Sequence, residues 1–352
     1  MKPTRRPRDR DFVETREGFF FCLVGYVHPP DRYLAYLKYT PAAAGKWARG
    51  PVAYRRELPY YHVRNVQETV DRLAETHPHY VWRDPATGLR FSFVPRDAVV
   101  RHYRPEARLQ EILGAPADSL EAEVRDLVSG LTAVSGVPAA AFGVTGSILL
   151  GLHNPAFSDI DLIVYGRAEV EGVRAALGEA GGALVPLPPE RRAAWRRETA
   201  ERFGLSPDEV AYLDRRRWNY GLFRGRYVSI HPTRAEDEIT EGYGDRPSSP
   251  CGPATIEARV TDVADAGFLP AVYKVADLTV EDGPPAAIEE VVVFEALFAG
   301  MADPGDRILA RGQVEVDAAG RGRLVVGSAA VEGGGTLRVL ASAPTRAGPA
   351  PG

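Results

Sequence analysis

Cysteine is nearly absent: two residues, Cys22 and Cys251, lie far apart in a chain of 352. Without a second pair, neither a disulfide framework nor a cysteine zinc site can be assembled, and both read as buried thiols. No apolar run approaches the ~18 residues that cross a bilayer. The basic start, Met1 to Arg10, leads into no signal-type hydrophobic stretch. The expected compartment is therefore the cytoplasm, with no membrane partner. Internal repeats and long low-complexity segments are also lacking, which excludes a repeat architecture.

What is present fits a soluble globular protein, with 45% hydrophobic and 26% charged residues. The length exceeds one ordinary core, and three domains are expected. The net charge of −4 hides an asymmetry: +8 over residues 1–110, −5 over 111–240 and −7 beyond. A basic first domain suits a phosphate-rich partner such as RNA or DNA, although Arg-rich surfaces are often merely soluble. There Lys46, Arg49, Arg55, Arg56 and Arg64 lie among Trp47, Tyr54, Tyr60 and Tyr61. That interleaving suits single-stranded nucleic acid, or half-buried packing in a small domain.

Periodicity divides the chain into an α+β multidomain protein. In residues 1–110, Phe19 to Tyr26 and Arg32 to Thr40 flank the turn-forming His28-Pro29-Pro30-Asp31 and read as a hairpin. A looser stretch through Gly45 and Gly50 precedes a helix over Val63 to Thr76; Leu89 to Val94 alternates like a strand. Residues 111–243 form the central domain. A helix over Asp118 to Ser135, an apolar strand over Ala139 to Val144, three helices between Glu169 and Arg215, and a hairpin turning at Arg224-Gly225 are predicted. Gly244 to Pro253 is punctuated like a linker. Five or six short strands in 250–342 suggest a small β-barrel, of which the oligonucleotide-binding kind is one form. Residues 343–352 are expected to be a disordered tail.

The chemistry is concentrated in Phe142 to Tyr165. Gly146 gives room for a tight turn, and Ser147 can open a helix whose first amides attract phosphate. Asp159 and Asp161 are separated by one residue in a strand-like run, so period-two geometry turns both carboxylates to one face and Ile160 and Leu162 to the core. Two hard oxygen donors at one place suit a pair of magnesium ions about 3.5 to 4 Å apart. Without a cation the carboxylates would repel each other.

Gly146-Ser147, eleven intervening residues, then Asp159-Ile160-Asp161 resembles the signature of the DNA polymerase beta-like nucleotidyltransferase superfamily. Ser158 and Gly151 also fit its minimal members. The resemblance covers residues 118 to 235, and the flanking arrangement is similar to that of uncharacterised archaeal predicted nucleotidyltransferases. It implies a mixed β-sheet with helices, a nucleoside triphosphate such as ATP bound at the Gly-Ser turn, and two Mg²⁺ or Mn²⁺ ions on Asp159 and Asp161.

One departure bears on catalysis. Family members usually carry a third carboxylate on a later strand, where this chain has Arg226-Tyr227-Val228-Ser229-Ile230-His231-Pro232. Ser229 or His231 stands at that place. His231 could ligate metal or take the hydroxyl proton, or be an ordinary strand-end histidine; Glu236, Asp237 and Glu238 follow as other oxygen sources. Arg216 and Arg217 could clamp phosphate or simply favour a helix C-terminus. His153 near the motif reads as a solvated loop residue. The expected activity is transfer of a nucleoside monophosphate from a triphosphate to a hydroxyl acceptor, with a non-catalytic nucleotide- or RNA-binding protein as the alternative.

Overall fold

A computed structural model describes residues 5–58, 60–178 and 183–341; the expected tail over 343–352 lies outside them. Among the described residues, one compact unit gathers those up to Tyr60, Glu68–Trp82 and Arg90–Asp245. A second gathers Tyr61–Gln67, Arg83–Leu89 and residues from Arg246 onward. The architecture is mixed α+β with several sheets. No described helix is long and apolar enough to cross a membrane.

The chain opens with a sheet of eight strands. Phe20–Leu23 pairs antiparallel with Arg32–Ala42, as the turn residues between them predict. Its core joins Val13, Phe21, Leu23, Ala35, Leu37 and Val94 to Leu73 and Tyr80. Leu73 comes from a helix over Val63–Thr76, where the 3.6-residue spacing places it. The stretch read as loose is a further hairpin, Trp47–Arg49 with Val52–Arg56. Gly50 turns it with φ of 57°. Glycine and proline punctuation disguised two short strands that have little apolar alternation.

The second sheet has the order Tyr220–Phe223, Arg226–Thr233, Ile160–Tyr165, Phe142–Val144. Ile160–Tyr165 runs parallel to Val228–Thr233 and antiparallel to Phe142–Val144. Only the end of the expected strand over 139–144 is extended, because Ala139–Ala141 winds into a 3₁₀ turn after Pro138. One sheet face is wholly apolar: Ile160, Leu162, Val164, Val228 and Ile230 are all inaccessible to solvent. Helix Arg167–Gly178 packs against strand Ile160–Tyr165 and helix Ser119–Ser135. The buried stripe Leu120, Val124, Leu127, Val128 and Leu131 faces inward from the latter. Asp118 caps that helix by accepting the Glu121 amide at 2.9 Å.

In the second unit, strand Ser248–Asp265 pairs antiparallel with both Ala271–Asp282 and Arg307–Asp317. Ala287–Val293 joins Ala271–Asp282 to Arg321–Val326, in parallel with the latter. Arg321–Val326 returns to Arg307–Asp317, so five strands close into a ring, and Thr336–Ala341 adds at Arg307–Asp317. The segment read as a linker enters this ring at Ser248. Its prolines and glycine are accommodated by a register shift between Pro250 and Gly252, which interrupts the ladder where proline lacks a donor. Cys251, expected to be buried, is exposed on this stretch, whereas Cys22 is buried.

Candidate active site

The parallel register sets Asp161 beside Ser229 and Ile163 beside His231, and the antiparallel hairpin sets Tyr220 beside Ser229. Neighbouring side chains in register share a face. The face opposite the apolar one thus carries a polar row. The Ser229 hydroxyl donates to Asp161 Oδ1. Its oxygen lies 2.9 Å from His231 Nε2, which is itself 3.8 Å from Asp161 Oδ1. Because the serine proton is directed at Asp161, the imidazole N–H is left to donate to Ser229. The chain His231 to Ser229 to Asp161 orients the carboxylate.

Burial opposes ionisation of Asp161, but His231 beside it, the charge of Lys38 and the Ser229 hydroxyl hold its carboxyl well below the usual range. Asp159 is exposed as a residue. Partial desolvation of its carboxyl, then the negative charge of Asp161, push it upward, against Arg191, Arg226 and Lys46. The His231 imidazole falls to about 4, chiefly by burial and then by the charge of Arg10, against the pull of Asp161. It is neutral at neutral pH.

Gly146 is fixed by contact as well as by conformation. Its φ is +68°, and a Cβ there would lie 2.4 Å from Asp161 Oδ2. The carboxylate therefore packs against the first turn of the short helix Gly146–Leu150. That helix begins one residue before Ser147, which lies within its first turn, half-buried. Thr145 ties the turn down on both sides: its amide donates to the Asp161 carbonyl at 2.9 Å and its hydroxyl to the Arg10 carbonyl at 3.0 Å.

Two cations near this row, one from a turn before the first strand and one from strand Arg32–Ala42, were missed by sequence reasoning. Arg10, in the left-handed region with φ of 64°, acts on His231, and Lys38, only 7% exposed, acts on Asp161. Nothing local marks Arg10. Lys38 carried a signal, as a lone cation in the run Tyr36-Leu37-Lys38-Tyr39.

The other expected residues are placed unequally. The Arg217 guanidinium lies between the rings of Trp195 and Tyr220, 3.9 and 3.8 Å from their centroids. It also donates to the Tyr227 hydroxyl at 3.4 Å. It thus stands at the edge of the polar row. Arg216 lies 5.6 Å over Tyr212 of its own helix, Pro207–Arg216. In the acidic run, Glu236 accepts the Arg6 amide and Glu238 accepts the amides of Arg167 and Ala235, whereas Ser229 and His231 stand beside Asp161.

His153 is not solvated. Its side chain is 8% exposed and its Nε2 lies 2.8 Å from Asp118 Oδ2. Among the described residues, Asp118, Glu121 and His153 have the spacing of a metal-ligand set. Their oxygens already have partners: Asp118 caps its helix, and Glu121 accepts from Arg108 and the Ala117 amide. The group acts as a clasp at the helix start.

Residues 132–231 match the family model described as a nucleotidyltransferase domain. Across 332 residues the chain is 33% identical to the uncharacterized protein MJ1086 of Methanocaldococcus jannaschii, covering 91% of this chain and 95% of that one. No solved structure matches.

Proposed function

We propose, on the premise that this chain belongs with its uncharacterized archaeal relative and carries a nucleotidyltransferase domain over residues 132–231, that it moves a nucleoside monophosphate from a triphosphate to a hydroxyl acceptor. One observation carries this reading: Asp161, ionised and oriented by Ser229, packs against the Gly146 turn, with Asp159 two residues away on the strand's approach. A turn suited to phosphate and a carboxylate pair thereby converge.

The donor set fits a divalent cation. Two carboxylates share a site where desolvation and then the charge of Asp161 raise Asp159, and a cation relieves both. Asp159 and Asp161 would hold Mg²⁺ or Mn²⁺, with the Ser229 hydroxyl and neutral His231 beside them in place of a third carboxylate. When bound, such ions supply Lewis acidity to the phosphoryl oxygens and lower the acceptor hydroxyl's pKa.

The chain's own groups would do the rest. The Gly146-Ser147 turn holds donor phosphate, Arg217 offers a donor fork held rigid by its two rings, and Arg10 and Lys38 make the site electropositive. The acceptor oxygen forms a bond to the α-phosphorus, the bond to the bridging oxygen breaks, pyrophosphate leaves, and the hydroxyl proton passes to water. His231, neutral and directed at Ser229, positions Asp161. The pairing order of the C-terminal ring supports a barrel of the oligonucleotide-binding kind for residues 250–342.

The serine beside Asp161 also favours a second reading, a nucleotide- or RNA-binding protein without turnover. Pyrophosphate release from each triphosphate, with Mg²⁺ or Mn²⁺ and a panel of acceptors, separates the two. The transfer reading expects release that chelation abolishes; triphosphate binding without release under every condition would establish the second.

A further inference from the structure

The hairpin Trp47–Arg56 borders an open, cleft-like cavity of about 310 Å³ lined by Gly45, Lys46, Trp47, Arg55, Arg56 and Leu58 among others. At Gly45 the backbone packs closely on strand Val52–Arg56, since a Cβ there would lie 2.2 Å from the Tyr54 carbonyl oxygen. Trp47 is half-buried, braced edge-on against Tyr39 at 5.6 Å, and Lys46 is exposed. The Lys46 ammonium stands 5.7 Å from the Trp47 ring and 4.3 Å from that of Phe157. Phe157 is a large apolar side chain left 37% exposed, two residues before Asp159. Lys46 also contributes to the electrostatics of Asp159. An aromatic and cationic cavity therefore adjoins the Asp159 end of the carboxylate pair, whereas the Gly146 turn meets Asp161.

We propose that this cavity holds the terminal nucleotide of a single-stranded nucleic acid, which makes such a strand the acceptor. The inference rests on the transfer reading above and assigns its acceptor class. Open aromatic faces bind bases of any sequence by stacking, and adjacent cations bind the phosphate that joins each base to the next. A volume near 300 Å³ suits one nucleotide-sized group. The donor's phosphates are assigned to the Asp161 side, so the Asp159 side is where an attacking strand end would enter. The first 110 residues, with their charge of +8, supply the electropositive approach.

The test measures binding of short fluorescent RNA and DNA strands to the full chain by anisotropy, beside binding of a fluorescent triphosphate, for wild type, Trp47→Ala and Lys46→Gln. Lys46 is exposed, so its variant keeps the test sound if Trp47→Ala folds poorly. Both variants are expected to weaken strand binding by about tenfold. Lys46→Gln should also make the logarithmic salt dependence shallower by about 0.7, and Trp47→Ala should leave triphosphate affinity unchanged. Failure of wild type to bind any strand, equal strand affinity in all three proteins, or parallel loss of triphosphate affinity would each overturn the proposal, the last by assigning the cavity to the donor base. Strand binding lost in the variants, with no pyrophosphate released by wild type, would uphold the cavity and reject the transfer reading.

Discussion

Asp161 in the central sheet, its side chain 34% exposed, and Glu295 after the third strand of the C-terminal ring are both carboxyls that lose hydration on folding, and they move in opposite directions. Asp161 is held well below the ordinary range because His231, Lys38 and Ser229 outweigh burial. Glu295, 8% exposed, is pushed up to about 8 because burial is opposed only by the amides of Val63 and Leu297. Burial alone thus makes a neutral acid. A carboxylate fit for metal or phosphate chemistry requires donors and cations gathered around it, and here they come from distant parts of the chain.

The largest expected effect follows from removing the charge of Asp161. Asp161→Asn should lower transfer by about 10³-fold, with thermal stability close to wild type, as pyrophosphate release and a melting curve would show. The other face of the same strand should behave inversely. Leu162→Ala is expected to cost about 2–5 kcal/mol of stability while the folded fraction keeps its turnover per site; a denaturant titration and active-site normalisation check this. If both substitutions damaged activity alike, the division into chemical and structural faces would be wrong.

Gly146→Ala tests the contact between the turn and Asp161. The backbone strain should cost about 1–3 kcal/mol, and displacement of Asp161 Oδ2 should reduce turnover more than stability implies. Ser229→Ala removes one hydrogen bond to a charged group and should lower kcat by about tenfold with little change in KM. In the ring, Glu295 makes a prediction for stability alone. Its proton is bound more tightly in the folded state than in the unfolded one, so its contribution is complete below about 4.5 and is lost as pH rises toward about 8. Melting temperature should therefore fall across that window in wild type, and less so in Glu295→Gln.

Much of this contrast was legible in sequence because it depends on local period. Alternation placed Asp161 and Leu162 on opposite faces, helical spacing located Val63–Thr76 and Ser119–Ser135, and the Arg224-Gly225 turn fixed the hairpin that brings Ser229 across. What was hidden depends on register and distance. That Ser229, rather than an acidic residue of 236–238, neighbours Asp161 follows from a parallel pairing across 68 residues. Arg10 and Lys38 reach the site through a separate sheet, and His153 was drawn from solvent by the helix cap Asp118. The ring's first strand was masked by Pro250, Gly252 and Pro253, which read locally as breakers.

The most direct measurement follows label from the α-phosphorus of a triphosphate into an acid-stable product, for wild type and Asp161→Asn, with Mg²⁺ or Mn²⁺ and with chelator. The account predicts metal-dependent labelling by wild type that Asp161→Asn nearly abolishes while remaining folded. Equal labelling by the two proteins, or none by wild type with any triphosphate and acceptor tried, would contradict it.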